Sequence, residues 1–247
     1  MWLSSQHQLS KITNRDVPII SSTAHAVDTS SDLGVMVDSR LTMADQVAAI
    51  CRGAYYQLRQ LRSVTRSLSP KAAKTVVQAF ITSRLDCCNS LLYGITDSLF
   101  RRLQSVQNAA ARFISGARRS DHITPVLRQL HWLPVRQRVQ YKLALLVYKL
   151  LRGLTPQYLS EECQLATVGG RRELRSADVI TCHAPRTRNK LGDRAFQVAG
   201  PRLWNSLPPS MRLRDIGPNE FKRLYLRHIC LSSLRRTSDV LLIARRV

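Results

Sequence analysis

The sequence predicts a mainly α protein, in which a helical bundle follows a short N-terminal β-hairpin and precedes a mixed, loop-rich C-terminal part. Two observations support this class. From about residue 41 apolar residues recur at helical spacing, and prolines and glycines punctuate the successive segments. Before residue 41 the apolar runs are short and separated by Ser, Thr and Asp, as in strands joined by turns.

The N-terminal segment, residues 1–40, contains two short apolar runs at 17–20 and 33–37, which we interpret as strands. Two strands alone bury too little apolar surface to form a stable sheet. We therefore expect residues 1–40 to be poorly anchored, like the edge of a larger sheet.

Five helices are predicted between residues 41 and 152, and the short loops between them favour an antiparallel bundle. Most of these helices begin at a capping residue or a proline and end at a glycine. The boundary signals in chain order are Ser69-Pro70, Gly94, Thr96 or Asp97, Gly116, Thr124-Pro125, Pro134 and Gly153.

Apolar positions predict which faces of these helices are buried. The second helix is expected to run from residue 70 to 92 with Cys88 inward, and polar Asp86 and Asn89 either bond across helices or mark its solvent edge. The fifth is apolar nearly all round at 143–148, which predicts a central position. On the first helix the inward residues are Val47, Cys51, Ala54, Leu58 and Leu61.

The pattern weakens beyond Pro156. Two further short helices are expected to open at Gly200-Pro201 and Gly217-Pro218, and residues 231–247 are a basic tail. Trp132 and Trp204 could stack on bases, but such residues more often fill a seam between helices.

The charge of the chain indicates a polyanionic partner. There are 38 Lys and Arg against 16 Asp and Glu, a net charge of +22, and 31 of the basic residues are Arg. Residues 41–160 alone carry a net +14. Arginine binds phosphate in a planar, bidentate way and stacks on bases, which favours nucleic acid over an anionic membrane.

Signatures of catalysis and of metal binding are missing from the sequence. There is no Asp-Asp pair, no glycine-rich phosphate loop, no GxSxG elbow and, among six cysteines, no CxxC pair. We expect no cofactor and no metal. With no signal peptide and no apolar stretch near 20 residues, we expect an intracellular protein outside the membrane, in nucleus or cytoplasm.

Several sequence motifs indicate a protein family, which composition alone cannot do. They include SRLDCCNSLLYG at 83–94, LQSVQNAAAR at 103–112, HITP at 122–125, HWLPV at 131–135, GDRAF at 192–196 and LWNSLP at 203–208. In this order and spacing they resemble the C-terminal part of the reverse transcriptase of non-LTR (LINE-type) retrotransposons, nearest to the jockey-like and chicken-repeat-like branches. The resemblance covers about residues 1–230.

The resemblance implies an order of parts. Residues 1–40 would correspond to the palm edge with its primer-grip hairpin, residues 41–119 to the thumb, and residues 120–230 to the region after the thumb. The family's paired catalytic aspartates would lie upstream, which implies a truncated, non-catalytic remnant of an RNA-directed DNA polymerase. Cys87 departs from the family, which usually has Tyr there.

The function expected on these grounds is binding of the template–primer or other nucleic acid, RNA, DNA or an RNA–DNA hybrid, without sequence preference. We expect the basic helices to grip double-stranded nucleic acid or an RNA–DNA hybrid by its phosphates. Two alternatives stay open: a repurposed protein-interaction module, or a product that never folds stably. The predicted phosphate contacts are Arg59, Arg62, Arg66, Lys71, Lys74, Arg101, Arg102, Arg118, Arg119, Arg136, Arg138, Arg186, Arg188 and Lys190.

Overall fold

The computed structural model describes residues 1–3, 6–14, 16–20, 22–166 and 179–234, and it divides the chain into two compact units, Met1–Arg138 and Val139–Val247. The predicted fold class is confirmed, since the described residues are mainly helical with two small antiparallel strand pairs near the N-terminus. In this part of the chain no helix has both the length and the apolar character needed to cross a bilayer. Most of the basic tail, 235–247, lies outside the described residues.

Two hairpins form the start of the first unit, after a short helix α1 (Gln6–Leu9). The first pairs β1 (Asp16–Ile19) with β2 (Ser22–His25), and every residue of both strands is exposed. The second pairs β3 (Thr29–Asp32) with β4 (Val35–Asp38), and β4 is buried at both ends. The expectation of a poorly anchored N-terminus therefore fits the first hairpin and is wrong for β4.

A buried carboxylate fastens β4 to the long helix α2 (Ala44–Val64). Asp38 accepts hydrogen bonds from the backbone N–H groups of Thr42 (2.9 Å) and Met43 (2.8 Å) and from the Thr42 hydroxyl (3.0 Å). Met43, at the N-cap, is left-handed and supplies no side-chain cap. Asp38 instead holds the turn before the helix, and the Thr42 hydroxyl accepts the first helical N–H, that of Ala44, at 3.3 Å. Gln46 adds a second link by accepting the N–H of Met36 at 2.8 Å.

The predicted second helix is shorter than expected and is interrupted. It consists of α3 (Pro70–Val77), a π-helical turn (Gln78–Thr82) and α4 (Ser83–Asp86), and it is followed by a 3₁₀ turn (Asn89–Leu92). The helix stops because Cys87 is extended and Cys88 is left-handed. Cys88 is exposed rather than inward, and Phe80, which lies within the π-helical turn, is exposed as well.

Helix α5 (Asp97–Ser115) packs along α2 and runs parallel to it. The hydroxyl groups of Tyr55 and Ser105 form a hydrogen bond near the middle of both helices. Towards the start of the helices Cys51 and Arg102 line one cavity, and at the far end Thr65 and Gly116 line another. Alternate helices of an antiparallel bundle run parallel to each other, and here the α3–α4 segment returns the chain to the starting end before α5 begins.

Buried apolar faces hold these helices together. The predicted inward residues of α2 are buried except Leu61, which is half-buried, and Leu103, Val106 and Ala110 of α5 are buried as well. Helices α6 (Ile123–Gln129) and α7 (Val135–Leu151) follow. Gln107, fully buried, ties α5 to the turn before α7 by donating to the carbonyl of Leu133 at 2.8 Å.

The second unit has an aromatic core. We expected residues 41–152 to form a single bundle, but the chain divides within α7 and the run 143–148 belongs to the second unit. There Tyr148 stacks on Phe221 with ring centroids 4.5 Å apart, and Trp204 lies 5.8 Å from Phe221. Trp204 is buried and donates its indole N–H to the carbonyl of Ile180, as the seam-filling interpretation expected.

The remaining helices of this unit are α8 (Gln157–Glu161), α9 (Lys190–Arg194), α10 (Phe196–Asn205) and α11 (Pro218–Leu234). Gly217-Pro218 opens α11 as predicted. Gly200-Pro201 does not open a helix, since it lies inside α10. A side chain at Gly200 would come within 3.0 Å of Val147, so glycine permits a close approach there.

The Asp38 link gives a stability prediction. Burial raises the pKa of the Asp38 carboxyl, but the hydrogen bonds from Thr42, Met43 and Arg40 outweigh it, and the pKa lies below its ordinary value of 3.8. Replacing Asp38 with Ala should lower the free energy of unfolding by about 1–3 kcal/mol at neutral pH, because the donors of Thr42 and Met43 lose a charged acceptor.

A group with a depressed pKa stabilises the fold above its ordinary pKa, and that contribution disappears as the pH falls through the folded-state value. The deficit of the Asp38→Ala variant should therefore shrink below about pH 3.8, measured by urea unfolding followed by circular dichroism. Asp32→Ala, which changes an exposed carboxylate on β3, is the matched control. A deficit that is the same at neutral and acid pH would contradict the role of the ionised carboxylate.

Candidate nucleic-acid interface

An open groove runs along the seam between α2 and α5 in the first unit. Its two connected parts have volumes of about 620 and 710 Å³ and share Tyr55, Arg59 and Ser105. We call it the basic groove. Its polar and aromatic lining residues are Arg52, Tyr55, Tyr56, Arg59, Arg62, Arg102, Ser105, Arg112, Phe113 and Arg119.

The spacing of three arginines along α2 places their side chains on the face of the helix that lines the groove. On α2 the residues Arg52, Arg59 and Arg62 recur at intervals of seven and three, which keeps them on one stripe of the helix. That stripe lies beside the buried face of Cys51 and Leu58. Because the apolar faces of α2 and α5 are turned towards each other, the flanking arginines are forced to the edge of the seam, where they remain exposed.

The described side chains that line the groove carry positive charge and no negative charge. None of the described residues that line it is Asp or Glu, whereas six are Arg. Cys51 and Arg102 line the same part of the groove; burial raises the pKa of the Cys51 thiol, and the charge of Arg102 opposes that rise. Like charges gathered without counter-charges attract an external polyanion.

Arg112 has a structural role as well as a charge. Its guanidinium donates hydrogen bonds to the carbonyl oxygens of Arg118 (3.2 Å), Asp121 (3.3 Å) and Arg119 (3.5 Å). These bonds close the loop after α5, which begins at the left-handed C-cap Gly116. The loop is thereby held so that Arg119 lines the end of the groove.

Of the sequence-predicted contacts, the structure brings Arg59, Arg62, Arg102 and Arg119 together in the basic groove. Others are exposed but do not line it: Lys71 and Lys74 on α3, Arg101 on α5, and Arg118 in the following loop. Arg66 lies in the 3₁₀ turn Thr65–Ser67, and its side chain is outside the described part. Arg186, Arg188 and Lys190 are exposed in the second unit.

Two predicted contacts are engaged within the protein. Arg136 pairs with Asp97 and lies over the ring of Phe100, with 4.6 Å from its guanidinium carbon to the ring centroid. The bond from Arg136 lowers the pKa of the Asp97 carboxyl. Arg138 pairs with Asp86 across helices, and its side chain is only 17% exposed. Like Arg112, these two arginines are engaged within the protein, so their guanidinium groups are less available to phosphate than those of the other groove arginines.

Sequence reasoning missed five residues of the groove: Arg52, Tyr55, Tyr56, Arg112 and Phe113. A signal was available, because Arg52, Tyr55, Tyr56 and Arg59 form one contiguous patch at helical spacing on α2. The second wall of the groove had no such signal, since pairing α2 with α5 in parallel cannot be derived from either helix alone.

In the described residues no three His, Cys, Asp or Glu side chains are grouped so that they could hold a metal ion. Compared with known proteins, the chain matches no family model, no curated protein and no solved structure.

The loop-closing bonds of Arg112 give a prediction about dynamics. Arg112→Gln should speed amide hydrogen exchange of residues 118–121 by about fivefold or more, because each hydrogen bond to a charged group stabilises by about 1 kcal/mol or more. Arg119→Gln removes the same charge without touching these bonds and serves as the control. Equal exchange in both variants would contradict the role of Arg112 in holding the loop.

Proposed function

We propose that this chain binds nucleic acid without base specificity through the basic groove, acting as the thumb-like and post-thumb part of a LINE-type reverse transcriptase. The observation that carries the proposal is the groove itself, six arginines without a lining carboxylate. The motifs at 83–94 and 131–135 support the link to the family, as described from the sequence.

Contacts in this proposal are made to phosphate. A guanidinium donates two parallel hydrogen bonds to phosphate oxygens, and neighbouring arginines on α2 stand about one or two helical turns apart. Such contacts fix a strand in place but carry no sequence information. Binding would therefore be tolerant of sequence and sensitive to salt, because each neutralised phosphate releases condensed counterions.

Binding should weaken steeply as salt rises. If about five phosphates are contacted, the logarithm of the association constant should fall with the logarithm of salt concentration with a slope of about −4. Replacing Arg52, Arg59, Arg62 and Arg102 with Gln should weaken binding at least about tenfold and flatten this slope. Fluorescence anisotropy with a labelled oligonucleotide at several salt concentrations measures both quantities.

A matched variant separates the groove from the overall charge. Changing Lys71, Lys74, Arg101 and Arg118 to Gln removes the same four charges from exposed positions that do not line the groove. This control should retain most of the affinity and of the slope. Equal losses in the two variants, with both folded, would mean that net charge rather than the groove determines binding.

The purified chain should not extend a primed template. Two-metal polymerases need clustered carboxylates, and the sequence contains no Asp-Asp pair. Incorporation of labelled nucleotide with Mg²⁺ or Mn²⁺ is the measurement, and a known polymerase added to the same mixture shows that the template is competent. Template-dependent incorporation that co-purifies with the chain would contradict the non-catalytic assignment.

A protein-interaction module is the second candidate, and one observation favours it. Several apolar side chains near the N-terminus are exposed, including Trp2 (45%), Ile20 (107%) and Leu33 (95%). Exposed apolar surface of this kind marks contact sites in many proteins. A folded chain whose affinity for nucleic acid shows no salt dependence would favour this candidate over the first.

A further inference from the structure

The width of the basic groove bears on which form of nucleic acid it accepts. Two helices packed through apolar side chains lie about 8–10 Å apart, axis to axis. The groove above the seam of α2 and α5 is thus no wider than a single helix. A duplex is much broader, since its major groove alone is about 12 Å wide and admits a whole α-helix. One strand can enter the groove, whereas a duplex can touch only its rim.

The groove also exposes aromatic rings between its arginines. Tyr55 is 41% and Tyr56 59% exposed, and both line the groove. Each lies three or four residues from Arg52 and from Arg59, so every ring has a guanidinium neighbour on both sides along α2. Alternating rings and cations match the alternation of bases and phosphates along an unpaired strand.

A hydrogen bond across the floor fixes one of these rings. The hydroxyl groups of Tyr55 and Ser105 are 2.9 Å apart, which joins α2 to α5 in the middle of the groove. The Tyr55 ring is thereby held between the two walls instead of swinging into solvent. A ring held in advance loses less conformational freedom when a base stacks on it.

We propose that the basic groove binds single-stranded nucleic acid, with phosphates on the arginines and bases stacked on Tyr55 and Tyr56. This inference rests on the proposed function and narrows it to unpaired strands, whereas the sequence led us to expect a duplex or an RNA–DNA hybrid. In a duplex the bases are already stacked on one another and their faces are closed to the tyrosines. Only a strand with free base faces can use both kinds of contact at once.

The first test compares three probes with the full chain by fluorescence anisotropy. The probes are a mixed-sequence single strand of about 12 nucleotides, within the site sizes of single-strand binders, the same strand paired in a duplex, and an abasic strand with sugar and phosphate only. The intact strand should bind about tenfold more tightly than the other two, the gain expected from one or two stacked bases.

The second test removes the rings. The Tyr55→Leu/Tyr56→Leu double variant should bind the intact and the abasic strands equally, while its salt slope stays close to that of the unchanged protein. Tyr56→Leu alone changes the more exposed ring and should lose part of the preference, which keeps the test valid where the double variant is unstable. Tyr158→Leu, at a 68% exposed tyrosine of α8 that does not line the groove, is the control.

The outcomes separate this inference from the proposed function. Equal affinity for intact and abasic strands, tighter binding of the duplex, or an unchanged preference in the folded tyrosine variants would overturn the single-strand inference. A steep salt slope in the same experiments would leave phosphate binding by the groove standing. Absence of binding by all three probes at low salt would overturn both.

Discussion

The parallel packing of α2 against α5 is the constraint on which the first unit depends. Each helix has one apolar face, and burying those faces against each other sets the position of everything else along the seam. Polar residues next to the buried stripe must emerge at its edge. In this chain the residues at that edge are arginines from both helices and tyrosines from α2, so a groove with positive walls results from core packing.

The charged side chains at the ends of α2 and α5 match the dipoles of these two helices. Asp45 and Asp97 lie in the first turns of α2 and α5, where the helix dipole is positive, and Arg62 and Arg112 lie in the last turns, where it is negative. Because the helices are parallel, their dipoles add at each end of the seam. The arginines at the far end offset the exposed carbonyl ends of both helices and keep the groove positive there.

Local signals made much of the fold predictable. Ser69 accepts the N–H of Ala72 as an N-cap does, Gly116 is the left-handed C-cap of α5, and Pro218 opens α11. The prediction of Gly200-Pro201 as a helix start was wrong because α10 begins earlier, at Phe196. Pro201 lies inside α10, where it removes one backbone donor, so the dipeptide alone does not fix a helix boundary.

The features that could not be predicted from the sequence depend on contacts between residues far apart in the chain. Asp86 and Asn89 lie where the expected helix breaks, and Asp86 pairs with Arg138, 52 positions along the chain. No periodicity reports such a pairing. The site shows the same limit. Arg59 and Arg62 of α2 were predicted, but the part of the opposite wall contributed by Arg112 and Phe113 depends on which helices pack together.

The first hairpin has a consequence for handling the protein. Strands β1 and β2 pair only with each other in the described residues, so each has an open outer edge with unpaired backbone donors and acceptors. Pro18 removes one donor from the edge of β1, and β2 contains no proline. An exposed edge without proline or charge is a template for pairing with another chain. In concentrated solution, self-association would therefore begin at β2.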